Sequence, residues 1–152
     1  MQTFLPYKSY TESARVLDDK RLGKQRVENL QILKALILPE YGWKNHPAVK
    51  MWVGYEQALS LYQIMICKEW TDRGFKDTCL DKTFDLVVGS NQISWNVTWP
   101  EWLGNEKFHA SHRSNLLRKD PEWYGQFGWT EPDDLEYYWP TKHYWPKKWM
   151  ED

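Results

Sequence analysis

One apolar stripe constrains the fold of this chain more than any other feature. Met51, Tyr55, Leu59, Tyr62, Ile66 and Trp70 recur at three- and four-residue spacing between Pro47 and Gly74. That period keeps one side of an α-helix apolar, Pro47 suits a first helical turn, and Gly74 suits a stop. The spacing therefore predicts one long helix, and its stripe is core with no chemistry assigned to it. Upstream, Ser9-Tyr10-Thr11-Glu12 has the form of a capping box and predicts a helix start at Ser9. From Lys24, the positions Val27, Leu30, Leu33 and Ile37 repeat at helical spacing until Pro39 and Gly42. Gly23 lies inside that pattern as a point of kinking or interruption. Residues 108–119 suit a further helix ended before Pro121.

Between the helices the pattern weakens. Phe84 to Gly89 fits either a short strand or a helical turn, and Ile93 to Trp99 alternates weakly. Beyond residue 120 the chain is aromatic and acidic, and Pro132, Pro140 and Pro146 forbid a long helix. The expectation is a mainly α, compact single-domain helical fold over residues 1–152. Residues 129–152 form an irregular aromatic-rich C-terminal tail, held on the helices by Trp139, Trp145 and Trp149. Two cysteines, Cys67 and Cys79, make no disulfide framework, which suits a reducing cytoplasm. No apolar run is long enough for a membrane span and no signal peptide is visible, so the expected setting is cytoplasmic, with no membrane partner.

The net charge of −1 argues against nucleic acid, but its distribution does not. Residues 8–50 hold nine Lys/Arg against five Asp/Glu, residues 105–119 four against one, and residues 120–152 three against eight. A basic surface and an acidic tail therefore coexist in a neutral total. The densest basic stretch is Lys20-Arg21-Leu22-Gly23-Lys24-Gln25-Arg26-Val27-Glu28, at the start of an apolar helical pattern. Lys20, Arg21 and Lys24 are candidate phosphate contacts. His109-x-x-His112, with Cys67, Cys79, His46 and His143, matches no strong zinc spacing, so neither metal nor small-molecule cofactor is expected.

Three segments are more specific together than alone. They are Leu22 to Glu28; Gly42-Trp43-Lys44-Asn45-His46-Pro47-Ala48-Val49, leading to Asp72-Arg73-Gly74-Phe75; and His109 through Pro121-Glu122-Trp123-Tyr124-Gly125. In this order and spacing, over about residues 1–128, the chain resembles the pyrimidine-dimer DNA glycosylases of the phage endonuclease V type. The resemblance implies a compact helical domain that binds damaged double-stranded DNA, cuts the glycosidic bond of a pyrimidine dimer and nicks the abasic strand. It implies a terminal α-amine as nucleophile, here on Met1, because Gln2 is a bulky residue that leaves the initiator in place. An α-amine has a pKa of about 7.7–8.0 against about 10.4 for lysine, so at neutral pH it is unprotonated on the order of hundreds of times more often. Arg26 and an adjacent carboxylate complete the implied catalytic set.

Aligning Arg26 with the family's arginine puts Val27 at the carboxylate position and leaves Glu28 one residue late, about 100° around a helix. Either a bulge near Gly23 restores the register or the lyase chemistry is altered. His46, His112 and Arg113 are further candidate DNA contacts, and Trp123 and Tyr124 are candidates for stacking on bases. The competing readings are a DNA binder without catalysis and a protein-interaction domain that uses the aromatic tail.

Overall fold

The computed structural model describes residues 1–90 and 96–141, and Trp145, Pro146, Trp149 and His143 lie outside them. Seven α-helices run through the described residues, and no strand is found among them. Helix α1 (Tyr10–Val16) starts where the capping box predicts, with the Ser9 hydroxyl accepting from the Glu12 N–H. Helix α2 (Asp19–Ile37) runs without a break through Gly23. Helices α3 (Pro47–Lys50) and α4 (Glu56–Asp72) follow, then α5 (Cys79–Gly89), α6 (Glu106–Lys119) and α7 (Pro121–Tyr124).

The single long helix over 47–74 is divided in two. His46 caps α3 through its Nδ1, and turns at 51–54, with Gly54 at φ +84°, separate it from α4. The apolar stripe survives the division, because Met51, Leu59, Tyr62 and Ile66 are all buried. Phe84 to Gly89 is helical, as part of α5. The interruption expected at Gly23 is absent, and the glycine serves packing instead. The Trp70 ring lies on the glycine, and a Cβ there would stand 2.9 Å from Trp70 Cη2. Glycine at this position brings α2 and α4 together. Helix α2 packs on α4 and α5, and α1 packs on α4.

The buried side of α2 carries Leu22, Ile32 and Leu33, together with Gln25 and Asn29. Val27, expected on that side, is 43% exposed. The two amides matter because of what they face. Residues 2–6 run through the interior without helix or strand partners, and a buried, unpaired backbone group costs about 1–3 kcal/mol. Side chains from the surrounding helices pair them instead. Gln25 accepts from the Phe4 N–H at 2.9 Å and donates to the Gln2 carbonyl at 2.7 Å. The Tyr62 hydroxyl donates to the Phe4 carbonyl. His112 Nδ1 accepts from the Leu5 N–H at 2.9 Å, and His109 Nδ1 donates to the Leu5 carbonyl at 2.7 Å. Arg113 donates to the Pro6 carbonyl at 2.7 Å. A chain of amides runs on behind Gln25, through Asn29 to Gln63 and Thr83. The tail crosses α6, with Ser111 and Ser114 hydroxyls accepting from the Tyr138 and Leu135 N–H groups.

Candidate active site

The clamped N-terminal segment ends in a cleft of about 390 Å³. Met1 and Gln2 line it, and so does Glu28. The Gln2 N–H donates to Glu28 Oε2 at 3.2 Å, so the carboxylate sits on the first peptide group of the chain. Lys20, Arg21 and Lys24 enter from the start of α2 and Lys119 from the end of α6, while Phe4 and Tyr137 form apolar wall. Positions 20, 24 and 28 fall on one helix face by their four-residue spacing, with Arg21 beside them. The same geometry turns Val27 outward. No bulge is involved, and the carboxylate brought to the chain start is Glu28.

The cations are unevenly matched. Arg21 is held by Asp18 at 3.1 Å, and Lys24 makes only a loose 3.8 Å pair with Glu28. Partial burial, then the charges of Arg21, Arg118 and Lys24, push the Lys119 ammonium below its usual pKa, with Glu28 opposing. Positive charge is therefore crowded at this mouth, and an anion entering it relieves repulsion. Burial raises the Tyr137 hydroxyl to about 12, so it stays protonated.

Several expected site residues are elsewhere. Arg26 points away from the cleft because two positions on a helix turn a side chain by about 200°. It pairs with Asp77 at 2.5 Å and lies over the Trp70 ring at 4.4 Å. Burial works against ionisation of Asp77, but hydrogen bonds from Arg26 and from the Leu80 and Cys79 N–H groups outweigh it and hold the carboxyl below its usual range. His112 is fully buried against Leu5 and offers no surface to DNA. Arg113 is buried between Glu106 and Glu131, the latter at 2.6 Å, and serves the N-terminal segment. Tyr124 is also fully buried, with its hydroxyl on Asp18 and its ring stacked on Trp129, so it braces the carboxylate that orients Arg21. Trp123 is 37% exposed, with its indole N–H on the Val16 carbonyl at 2.7 Å.

His46 stands beside the cleft. Partial burial and the N-terminal ammonium lower its pKa, while Glu28 opposes them, so both charges reach it. Lys119, Phe4, Tyr137 and the Gln25 clamp were not assigned from sequence. Gln25 and Asn29 did carry a signal, as two amides on an otherwise apolar helix face. Lys119 and Tyr137 carried none, because only the tertiary fold brings α6 and the tail to α2. Among the described residues no group of His, Cys, Asp and Glu is placed to hold a metal ion, and no helix is long and apolar enough to cross a membrane.

A family model described as pyrimidine dimer DNA glycosylase matches residues 1–83, which include the N-terminal segment, the cationic start of α2 and Glu28. No curated protein and no solved structure matches the chain. By the family match, which spans more than half of its residues, the chain belongs to the pyrimidine dimer DNA glycosylases, and its activity is DNA glycosylase activity in that general sense.

Proposed function

We propose that the protein removes a damaged pyrimidine from double-stranded DNA and then nicks the strand, using the α-amine at the start of the chain as nucleophile. The observation that carries this reading is the Glu28 carboxylate on the Gln2 N–H at 3.2 Å, in a cleft lined by cations. A neutral Met1 amine attacks the sugar C1′, and the pyrimidine leaves with the glycosidic electron pair. Loss of a proton from nitrogen and opening of the sugar ring give an iminium. In this reading Glu28 stabilises that developing positive charge and accepts protons from the amine. The iminium makes the C2′ proton acidic, and its removal expels the 3′ phosphate.

Lys20, Arg21, Lys24 and Lys119 are suited to the phosphates on either side of the lesion. The clamp on residues 2–6 serves the same end, because a nucleophile on a chain terminus is useful only if the terminus is held. If the initiator is removed, the free amine becomes the Gln2 nitrogen itself, already on Glu28.

The test is borohydride trapping on duplexes that carry a pyrimidine dimer or an abasic site, with intact mass measured to identify the terminal residue. The expected result is a covalent adduct at the terminal amine with the unvaried protein. Glu28→Gln is expected to bind the same duplexes and lose cleavage by 100-fold or more, roughly the low end of a general acid–base contribution. Cleavage by Glu28→Gln at the unvaried rate would remove the carboxylate from the mechanism, and release of base without any adduct would remove the amine.

A further inference from the structure

Trp43 is the most exposed tryptophan among the described residues, at 60%, and is the one described non-glycine residue with a positive φ, +70°. A bulky side chain is disfavoured in that backbone region and persists there when the surroundings hold it. Here they do. Lys44 Nζ donates to the Ala35 and Leu38 carbonyls at 2.5 and 2.7 Å, which ties the turn to the end of α2. The His46 N–H donates to the Trp43 carbonyl at 3.0 Å, and His46 in turn caps α3. The turn is thus anchored on both sides, yet the indole it carries is left largely in water, with an edge contact to His46 at 6.2 Å.

Its position relates it to the cleft. The His46 ring touches Trp139, Trp139 touches Tyr137, and Tyr137 lines the cleft wall. The charges of the N-terminal ammonium and of Glu28 also reach His46. An aromatic row therefore leads from the cleft to an exposed indole on a rigid turn, while the cations that suit phosphates lie on the α2 and α6 edges.

We propose that Trp43 is a base-stacking platform of the DNA site, taking the face of a nucleobase that loses its stacking neighbour when a base is extruded at the lesion. This rests on the glycosylase reading above. Extruding a base exposes the face of the next one, and an aromatic side chain recovers part of that loss without regard to sequence, because every base has a π-face. Trp43 thereby favours damaged over intact duplex, in which no face is open.

The experiment compares Trp43→Phe with Trp43→Leu, which keeps apolar bulk but not the ring. Affinity is measured for a duplex carrying a tetrahydrofuran abasic analogue and for the same duplex intact. Removal of a base stack is worth about 5- to 150-fold in affinity. Trp43→Leu is expected to lose that much on the tetrahydrofuran duplex and little on the intact one, while Trp43→Phe stays near the unvaried protein. Equal binding by Phe and Leu variants, or an equal loss on both duplexes, overturns the proposal. Failure of the unvaried protein to release base or form a borohydride adduct counts against the enzymatic reading instead, since the stacking result is read from binding alone.

Discussion

Acidification should loosen the N-terminal clamp, because two of its members work only as neutral imidazoles. His112 Nδ1 accepts from the Leu5 N–H, and His109 Nε2 accepts from the Gly104 N–H while its Nδ1 donates to Leu5. Burial first, then electrostatic opposition to a second charge beside His109 and to any charge beside Arg113, holds His112 well below its ordinary value of 6.5. Burial likewise lowers His109, against the opposing pull of the Leu5 carbonyl and Glu106. A histidine with a depressed folded-state pKa contributes full stability above its unfolded value. Below that value the unfolded chain takes up the proton and the folded protein does not, so stability falls with pH until the folded value is reached. The slope is at most about 1.4 kcal/mol per pH unit for each histidine.

The window therefore opens near pH 6.5 and extends downward. The paired carboxyls of Asp18 and Asp77 are held below 3.8 and add their own loss only at lower pH. Urea unfolding at pH 7.5, 6.5, 5.5 and 5.0 measures the effect. The expected result is a plateau above about pH 7 and a decline below 6.5, with His112→Gln less stable at pH 7.5 and shallower in its decline by about 1.4 kcal/mol per pH unit. Constant stability from pH 7.5 to 5.0 would refute the assignment of neutral, buried histidines to the clamp. So would an unchanged slope in His112→Gln.

Other outcomes follow from single side chains. Asp77→Ala leaves the half-buried Arg26 guanidinium without its carboxylate partner and the Cys79 and Leu80 N–H groups without their acceptor, and should cost about 1–3 kcal/mol in urea unfolding; the folded fraction should still release base, since Arg26 does not line the cleft. Gly23→Ala drives a methyl against the Trp70 ring 2.9 Å away, and the overpacking cost of about 1–3 kcal/mol should exceed the gain of up to about 1 kcal/mol in helix propensity. The thermal transition should fall accordingly. Lys20→Gln should weaken binding to damaged and intact duplex alike, and should reduce the slope of log affinity against log salt by about 0.9 for each phosphate no longer neutralised.

The order of Ser9, the cationic run, Pro47, Gly74 and Pro121 was sufficient to determine a helical chain and some helix ends, namely the start of α1 and the ends of α2, α4 and α6, since caps, breakers and apolar period are local properties. It also marked the cations at the start of α2, and Lys20, Arg21 and Lys24 do line one cleft. What it could not decide was orientation. Whether Val27 or Glu28 meets the chain start depends on which side of α2 faces the core, and that was decided by Trp70 packing on Gly23 and by Gln25 and Asn29 turning inward to pair buried backbone. The same cause took Arg26, His112, Arg113 and Tyr124 out of the candidate DNA surface. Each carries polar groups that suit a phosphate or a base equally well as a buried carbonyl, N–H or carboxylate. Only the tertiary structure places a buried partner within hydrogen-bond distance, and a buried partner left unpaired costs more than a solvent-exposed contact returns.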